Sequence, residues 1–235
     1  MTTKHTSFLA KYFYFFMSLL IAAVVAFGFS STLDQGLIHT DVPPSFVLYI
    51  RAAIYVGWVT FFILQSALVR THNVRVHRFL GWFGVALGAA VIVLGVWTTI
   101  VMARFRVHHF HSSVADLDLL VPLFDMVCFT IAFALAIDWR KDPEFHRRLM
   151  LVATCVLTAA AFSRFPARFG SQNWFYAGTD YLILLGVARD LILDRRIHRV
   201  YLYALPTLIL GQSIVMYAVL RNPPLWLKIA TNILH

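Results

Sequence analysis

The stretch FLGWFGVALGAAVIVLGVWTTIVMA, from Phe79 to Ala103, runs for 25 residues without a charge. About 20 residues of helix, rising 1.5 Å each, cross the hydrocarbon of a bilayer, so this stretch spans it once. Two others match it: Tyr12 to Leu33 with 22 residues and Val200 to Leu220 with 21. The composition agrees, with 60% hydrophobic and 13% charged residues against about a quarter charged in soluble domains. No water-soluble core hides that much apolar surface.

Four less uniform segments complete the pattern. Phe46 to Val69 is apolar except for Arg51, and Val114 to Ile137 except for Asp116, Asp118 and Asp125. Arg148 to Ala167 and Trp174 to Leu193 are shorter, with arginines near their ends that can snorkel to the headgroups. The sequence therefore predicts an all-α, integral membrane bundle of seven transmembrane helices, over about 12–33, 46–69, 79–103, 114–137, 148–167, 174–193 and 200–220. The fifth has the shortest uncharged run, so a re-entrant segment there is the rival topology. The first is read as a retained span, because its apolar run exceeds a signal-peptide core and no small-residue cleavage site follows before Asp34. Short connections and the absence of a linker-like tract predict one domain over residues 1–235.

Lysine and arginine set the expected orientation. One set of ends and loops carries thirteen of them: Lys4 and Lys11; Arg70, Arg75 and Arg78; Arg140, Lys141, Arg147 and Arg148; Arg189, Arg195, Arg196 and Arg199. The opposite side carries six: Arg104, Arg106, Arg164, Arg168, Arg221 and Lys228. This places the N-terminus in the cytoplasm and the C-terminus outside, in the inner (plasma) membrane of a bacterium. The net charge of +9 then faces anionic lipid and calls for no nucleic acid. Cys128 and Cys155 both fall in apolar runs, as small core residues do. Pro223-Pro224 stops the last span, and Leu225 to Leu234 is expected to lie on the outer surface as an amphipathic turn or two.

Two helix faces are set apart by composition. Gly81, Gly84, Gly88 and Gly95 form a small-residue seam on the third span, which admits neighbouring helices closely and predicts a central position for it. Arg51, Tyr55, Trp58, Phe62 and Gln65 share one face of the second, which should turn inward because lipid offers a charge or an amide no partner.

Charged residues inside the spans are the candidate site. An ionised side chain at mid-membrane costs at least about 2.5–3.5 kcal/mol, which makes it a functional hypothesis. Asp125 lies near the middle of the fourth span, with Pro122 between it and Asp118. Arg51, Asp118 and Asp180 sit roughly 6–9 Å below the outer ends of their helices at 1.5 Å per residue, and Arg164 lies near the end of the fifth. These five define an expected outward-opening polar pocket for a proton, an ion or a small polar solute, with Asp125 titrating and Arg51 as its counter-charge. The competing structural role is an ion-pair network that fixes helix positions.

Histidines supply a second set of candidates. His108, His109 and His111 could bind zinc, copper or nickel, with His39 and Asp116 completing the shell. On the cytoplasmic side the pairs His77-Arg78, His146-Arg147 and His198-Arg199 each open a span. His77, His146 and His198 could converge on a metal with Asp138 or Asp194, or two of them could clamp a haem iron near the inner face, giving a membrane redox protein. Their arginines can instead anchor headgroups or pair with Asp138, Asp142, Glu144, Asp190 and Asp194. A non-catalytic assembly subunit of a membrane complex is the third class. No H-x-x-x-H pair and no Ser/His/Asp set is singled out by order or spacing, so the sequence assigns no enzymatic reaction and names no cofactor.

Gln65, His77-Arg-Phe-Leu-Gly81 and His146-Arg-Arg-Leu-Met150 resemble a family of uncharacterised bacterial polytopic membrane proteins marked by a glutamine, an H-R-x-L-G turn and an H-R-R-x-M helix start. The resemblance covers about the second to fifth spans. It implies that Gln65, His77, Arg78, Gly81, His146 and Arg147 form a family signature, and it assigns them no role.

Overall fold

The computed structural model describes residues 8–33, 46–110, 117–166, 174–221 and 223–234, without the side chains of 31–33, 48, 106, 108–110, 117, 118 and 234. Among the described residues there are nine helices and no strand: α1 (Phe8–Leu33), α2 (Phe46–Arg70), α3 (Val74–Phe110), α4 (Leu117–Asp138), α5 (Pro143–Val156), α6 (Ala159–Phe162), α7 (Phe175–Asp194), α8 (Arg199–Arg221) and α9 (Pro224–Leu234). The main helices run alternately up and down. Arg70 lies over Tyr12 where α1 begins and α2 ends, and Arg164 lies over Phe29 at the far end of α1. The end where α1 starts carries most of the lysine and arginine and is called the basic end below.

Among the described residues six segments are long and apolar enough to cross a membrane: Phe8–Ser30, Tyr49–Arg70, Val74–Phe105, Leu119–Asp138, Pro143–Phe162 and Arg199–Arg221. The chain is accordingly a multi-pass membrane protein. α7 is also 20 residues long, but Asp180, Arg189, Asp190 and Asp194 interrupt its apolar character. The fifth segment is one rod with a break rather than a shallow loop. Asp142 caps its start by accepting from the Glu144 and Phe145 amides at 2.9 and 3.4 Å, with Pro143 as the first helical residue. At Leu157 and Thr158 the ladder slips, where the Thr158 hydroxyl donates to the Cys155 carbonyl at 2.6 Å.

The core gathers where α4 and α5 meet α1, α2 and α7. Trp58 stands edge-on to Phe129 and Phe133 at centroid distances of 5.1 and 5.5 Å, and those two rings stack on each other at 5.5 Å. This aromatic block fills the bundle between its two polar ends, and the inward face of α2 forms one wall of it. The glycine seam of α3 admits these rings. A Cβ on Gly88 would meet the Phe133 ring, one on Gly95 the Met126 sulfur, and one on Gly84 the Phe61 ring. Gly81 meets open space instead, so the seam starts one turn later than its spacing suggests. α3 is not central either, since Phe79, Trp82, Phe83 and Val93 are exposed on its other faces. The most enclosed rod is α5, whose small residues Ala153, Thr154 and Cys155 are buried on all sides. α9 packs one face on the bundle, with Trp226 and Ala230 buried against Ala103 and Leu119, and Arg104 donates to the Ile233 carbonyl at 2.8 and 3.2 Å.

Candidate functional site

A thin polar layer crosses the half of the bundle away from the basic end. Asp125, on α4 one turn after Pro122, is 6% exposed. Its Oδ1 accepts a hydrogen bond from the Tyr176 hydroxyl at 3.1 Å. Tyr176 opens α7, one turn before Asp180, whose Oδ1 accepts from Gln212 Nε2 on α8 at 3.0 Å. On the other side Tyr55 stands between Arg51 and Asp125, within electrostatic reach of both. The Arg51 guanidinium lies over the Tyr55 ring at 5.9 Å, and the Tyr55 hydroxyl contacts the Met126 sulfur at 3.7 Å.

Of the five residues assigned to the pocket from the sequence, Asp125 and Asp180 thus flank Tyr176, and Arg51 approaches through Tyr55. Arg164 donates from its guanidinium to the Ala160 carbonyl and covers the Phe29 ring at 4.5 Å. The side chain of Asp118 lies outside the described residues. No ion pair joins Arg51, Asp125 and Asp180 to one another among the described residues. Two groups of this layer were not singled out by the sequence, Tyr176 and Gln212, while Tyr55 was placed on the inward face of the second span without a role. A hydroxyl in an aromatic pair such as Phe175-Tyr176 gives no sign of its partner, whereas the single amide of the last span, Gln212, was a readable signal.

At the basic end a denser network joins α5 to α7. Arg148 is 1% exposed and Asp190 0%, and they form a two-pronged pair, Nε to Oδ2 at 2.9 Å and Nη2 to Oδ1 at 2.7 Å. Arg148 Nη1 reaches the Glu144 carboxylate at 2.5 Å and the Glu144 carbonyl at 2.9 Å. Arg189 donates to Asp190 at 2.8 Å and to Asp194 at 3.1 Å. Both Arg147 and Arg189 lie over the Tyr14 ring. Three guanidiniums therefore meet three carboxylates, so every charge in the buried part has an opposite neighbour. The sequence counted Arg148 among the charges at a span end, but it lies in the second turn of α5; what marks it is its place four residues after Glu144, at the threshold of an apolar run.

The histidines divide. His77 and His146 face each other across α3 and α5, with ring centroids 6.4 Å apart, and His146 Nδ1 bonds the Ala136 carbonyl at 2.7 Å. His198 goes elsewhere: it stands edge-on to Phe145, and its Nδ1 accepts from the Val200 amide at 3.2 Å. Burial, followed by the nearby Arg148 charge, holds the His198 imidazole below its ordinary pKa. No group of three or more metal-ligating side chains occurs among the described residues. The side chains of His108 and His109 lie outside them, as do His39, His111 and Asp116 altogether.

Comparison with protein-family models, with curated proteins and with solved structures gave no match.

Proposed function

We propose that this multi-pass protein crosses a bacterial inner membrane seven times, with its N-terminus in the cytoplasm, and binds a proton or a small cation at Asp125. The observation that carries the reading is Asp125 itself. It is enclosed by protein, its hydrogen-bonding partner is a neutral hydroxyl, and no cation of the chain pairs with it among the described residues. A buried carboxylate in that state must acquire a positive ion or a proton. Arg51 sits beyond Tyr55 and makes no contact with Asp125 among the described residues. Gln212 and Asp180 extend the polar layer by one turn of α7, which places a second carboxylate near Asp125 on the same side of the bundle.

The seventh crossing is α7. Its charges do not argue against it, since Asp180 is bonded to Gln212 and the other three lie in the network at the basic end. The kinship with polytopic bacterial proteins of the H-R-x-L-G and H-R-R-x-M type belongs to the same proposal, carried by Gln65, His77, Arg78, Gly81, His146 and Arg147.

The test is infrared difference spectroscopy of the protein in lipid, titrated with acid and with sodium or potassium. The reading expects a carboxyl band that changes on titration and is lost in Asp125→Asn, while Asp180→Asn leaves it in place. An identical spectrum for wild type and Asp125→Asn would remove Asp125 from the site.

A further inference from the structure

The basic end holds a second polar cluster on the far side of the aromatic block from Asp125, and its reading is independent of the cation site proposed there. His77 is the fourth residue of α3 and His146 the fourth of α5, so both rings hang from the first turn of a regular helix. The contact between His146 Nδ1 and the Ala136 carbonyl fixes a tautomer. A carbonyl only accepts, so Nδ1 carries the proton and Nε2 keeps a bare lone pair. His77 Nδ1 is buried and makes no well-formed hydrogen bond, and the Gln65 backbone carbonyl stands within hydrogen-bonding reach of the same ring. Both amide atoms of Gln65 are buried and without a partner as well. Three buried polar atoms on the facing turns of α2 and α3 are thus left without a partner from the chain among the described residues.

The separation of the rings selects what fits between them. Two imidazoles on opposite sides of one ion stand farther apart than two at the tetrahedral angle that zinc takes, for which bonds of about 2.0–2.1 Å put the centroids about 5.1 Å apart. The centroids stand 6.4 Å apart, which matches the opposed arrangement. Zinc wants four ligands at tetrahedral angles, and no third histidine, cysteine or carboxylate joins the pair among the described residues. Monovalent copper accepts two nitrogen donors in a line, and its single charge is easier to place beside Arg78 and Arg147 than a double one.

We propose that His77 and His146 form a two-coordinate site for a monovalent copper ion at the basic end of the bundle, with the Gln65 amide lining it. The ligand atoms are His146 Nε2 and His77 Nδ1. The site is a binding site; no electron transfer is part of the proposal.

The experiment uses the full chain in detergent, under reducing and oxygen-free conditions, with copper(I) delivered from a chromogenic chelator that competes for it. Because His108, His109 and His111 could take copper too, the parent protein carries all three as glutamine. The expected result is one equivalent of copper, an X-ray absorption spectrum of two nitrogen ligands, and at least tenfold weaker binding in His77→Gln and in His146→Gln. His198→Gln is expected to bind as the parent does. His77→Met, which keeps a copper-binding side chain, should retain most of the affinity and shows that loss in His77→Gln is not misfolding. Failure of the parent to bind, unchanged affinity in the two glutamine variants, or a four-coordinate spectrum would each overturn the proposal.

Discussion

Four residues, Asp125, Arg148, Asp190 and His198, decide how this chain handles charge away from water. Asp125 was legible because a carboxylate interrupting an apolar run has a known cost. Its Tyr176 partner was not, since a phenol hydroxyl leaves no mark on hydropathy. Tyr176→Phe removes that one donor; the predicted outcome is an infrared carboxyl band that stays present but shifts, because Asp125 loses its hydrogen bond and keeps its burial. Arg148 and Asp190 behave differently, as a fully paired unit. Asp190→Asn leaves the Arg148 and Arg189 guanidiniums short of an opposite charge and should destabilise the protein by about 3–5 kcal/mol, read as a lowered midpoint in thermal unfolding followed by size exclusion. His198 supplies the pH dependence. Its folded form favours the neutral imidazole, so the unfolded chain binds protons first, and stability should fall as pH drops below the ordinary histidine value of about 6.5. His198→Gln should flatten that decline in melting temperature; a steeper decline would contradict the assignment.

Helix placement was largely readable, because each span is a long apolar run bounded by charge or proline. Packing between helices was less so. The seam on α3 looks the same at Gly81 and Gly88 in sequence, yet only Gly88 receives a phenyl ring. Which glycine is covered depends on how neighbouring rods cross, and spacing along one helix does not encode that. Gly28 on α1 was not marked at all, although a Cβ there would run into the Ala161 backbone. A backbone atom cannot rotate aside as a side chain does, so Gly28→Ala should separate α1 from α6 and lower the melting midpoint markedly. Gly81→Ala should be neutral or stabilise by up to about 1 kcal/mol through helix propensity. Equal effects of these two substitutions would mean that α1 and α6 do not touch as described. The turns carry a smaller strain: His72 and Arg195 hold φ of 62° and 52°, a region costly for residues other than glycine. His72→Gly should therefore raise stability slightly.

At the scale of the whole molecule, the polar groups segregate into two ends separated by the Trp58–Phe129–Phe133 block. The sequence reading anticipated buried charges in one outer layer and missed that the fuller ion network lies at the other end, because charges near helix termini are ordinarily snorkelling groups. Both ends depend on α7, which brings Tyr176 and Asp180 to one and Arg189, Asp190 and Asp194 to the other. The account therefore stands on α7 crossing the bilayer with its charges satisfied by protein, giving an odd number of crossings. Reporter tags at the two termini, probed in intact cells with membrane-impermeant reagents, measure this directly. The account predicts that a C-terminal tag is labelled from outside while an N-terminal tag is protected until the membrane is opened. Both tags protected, or both labelled, would mean an even number of crossings and would contradict it.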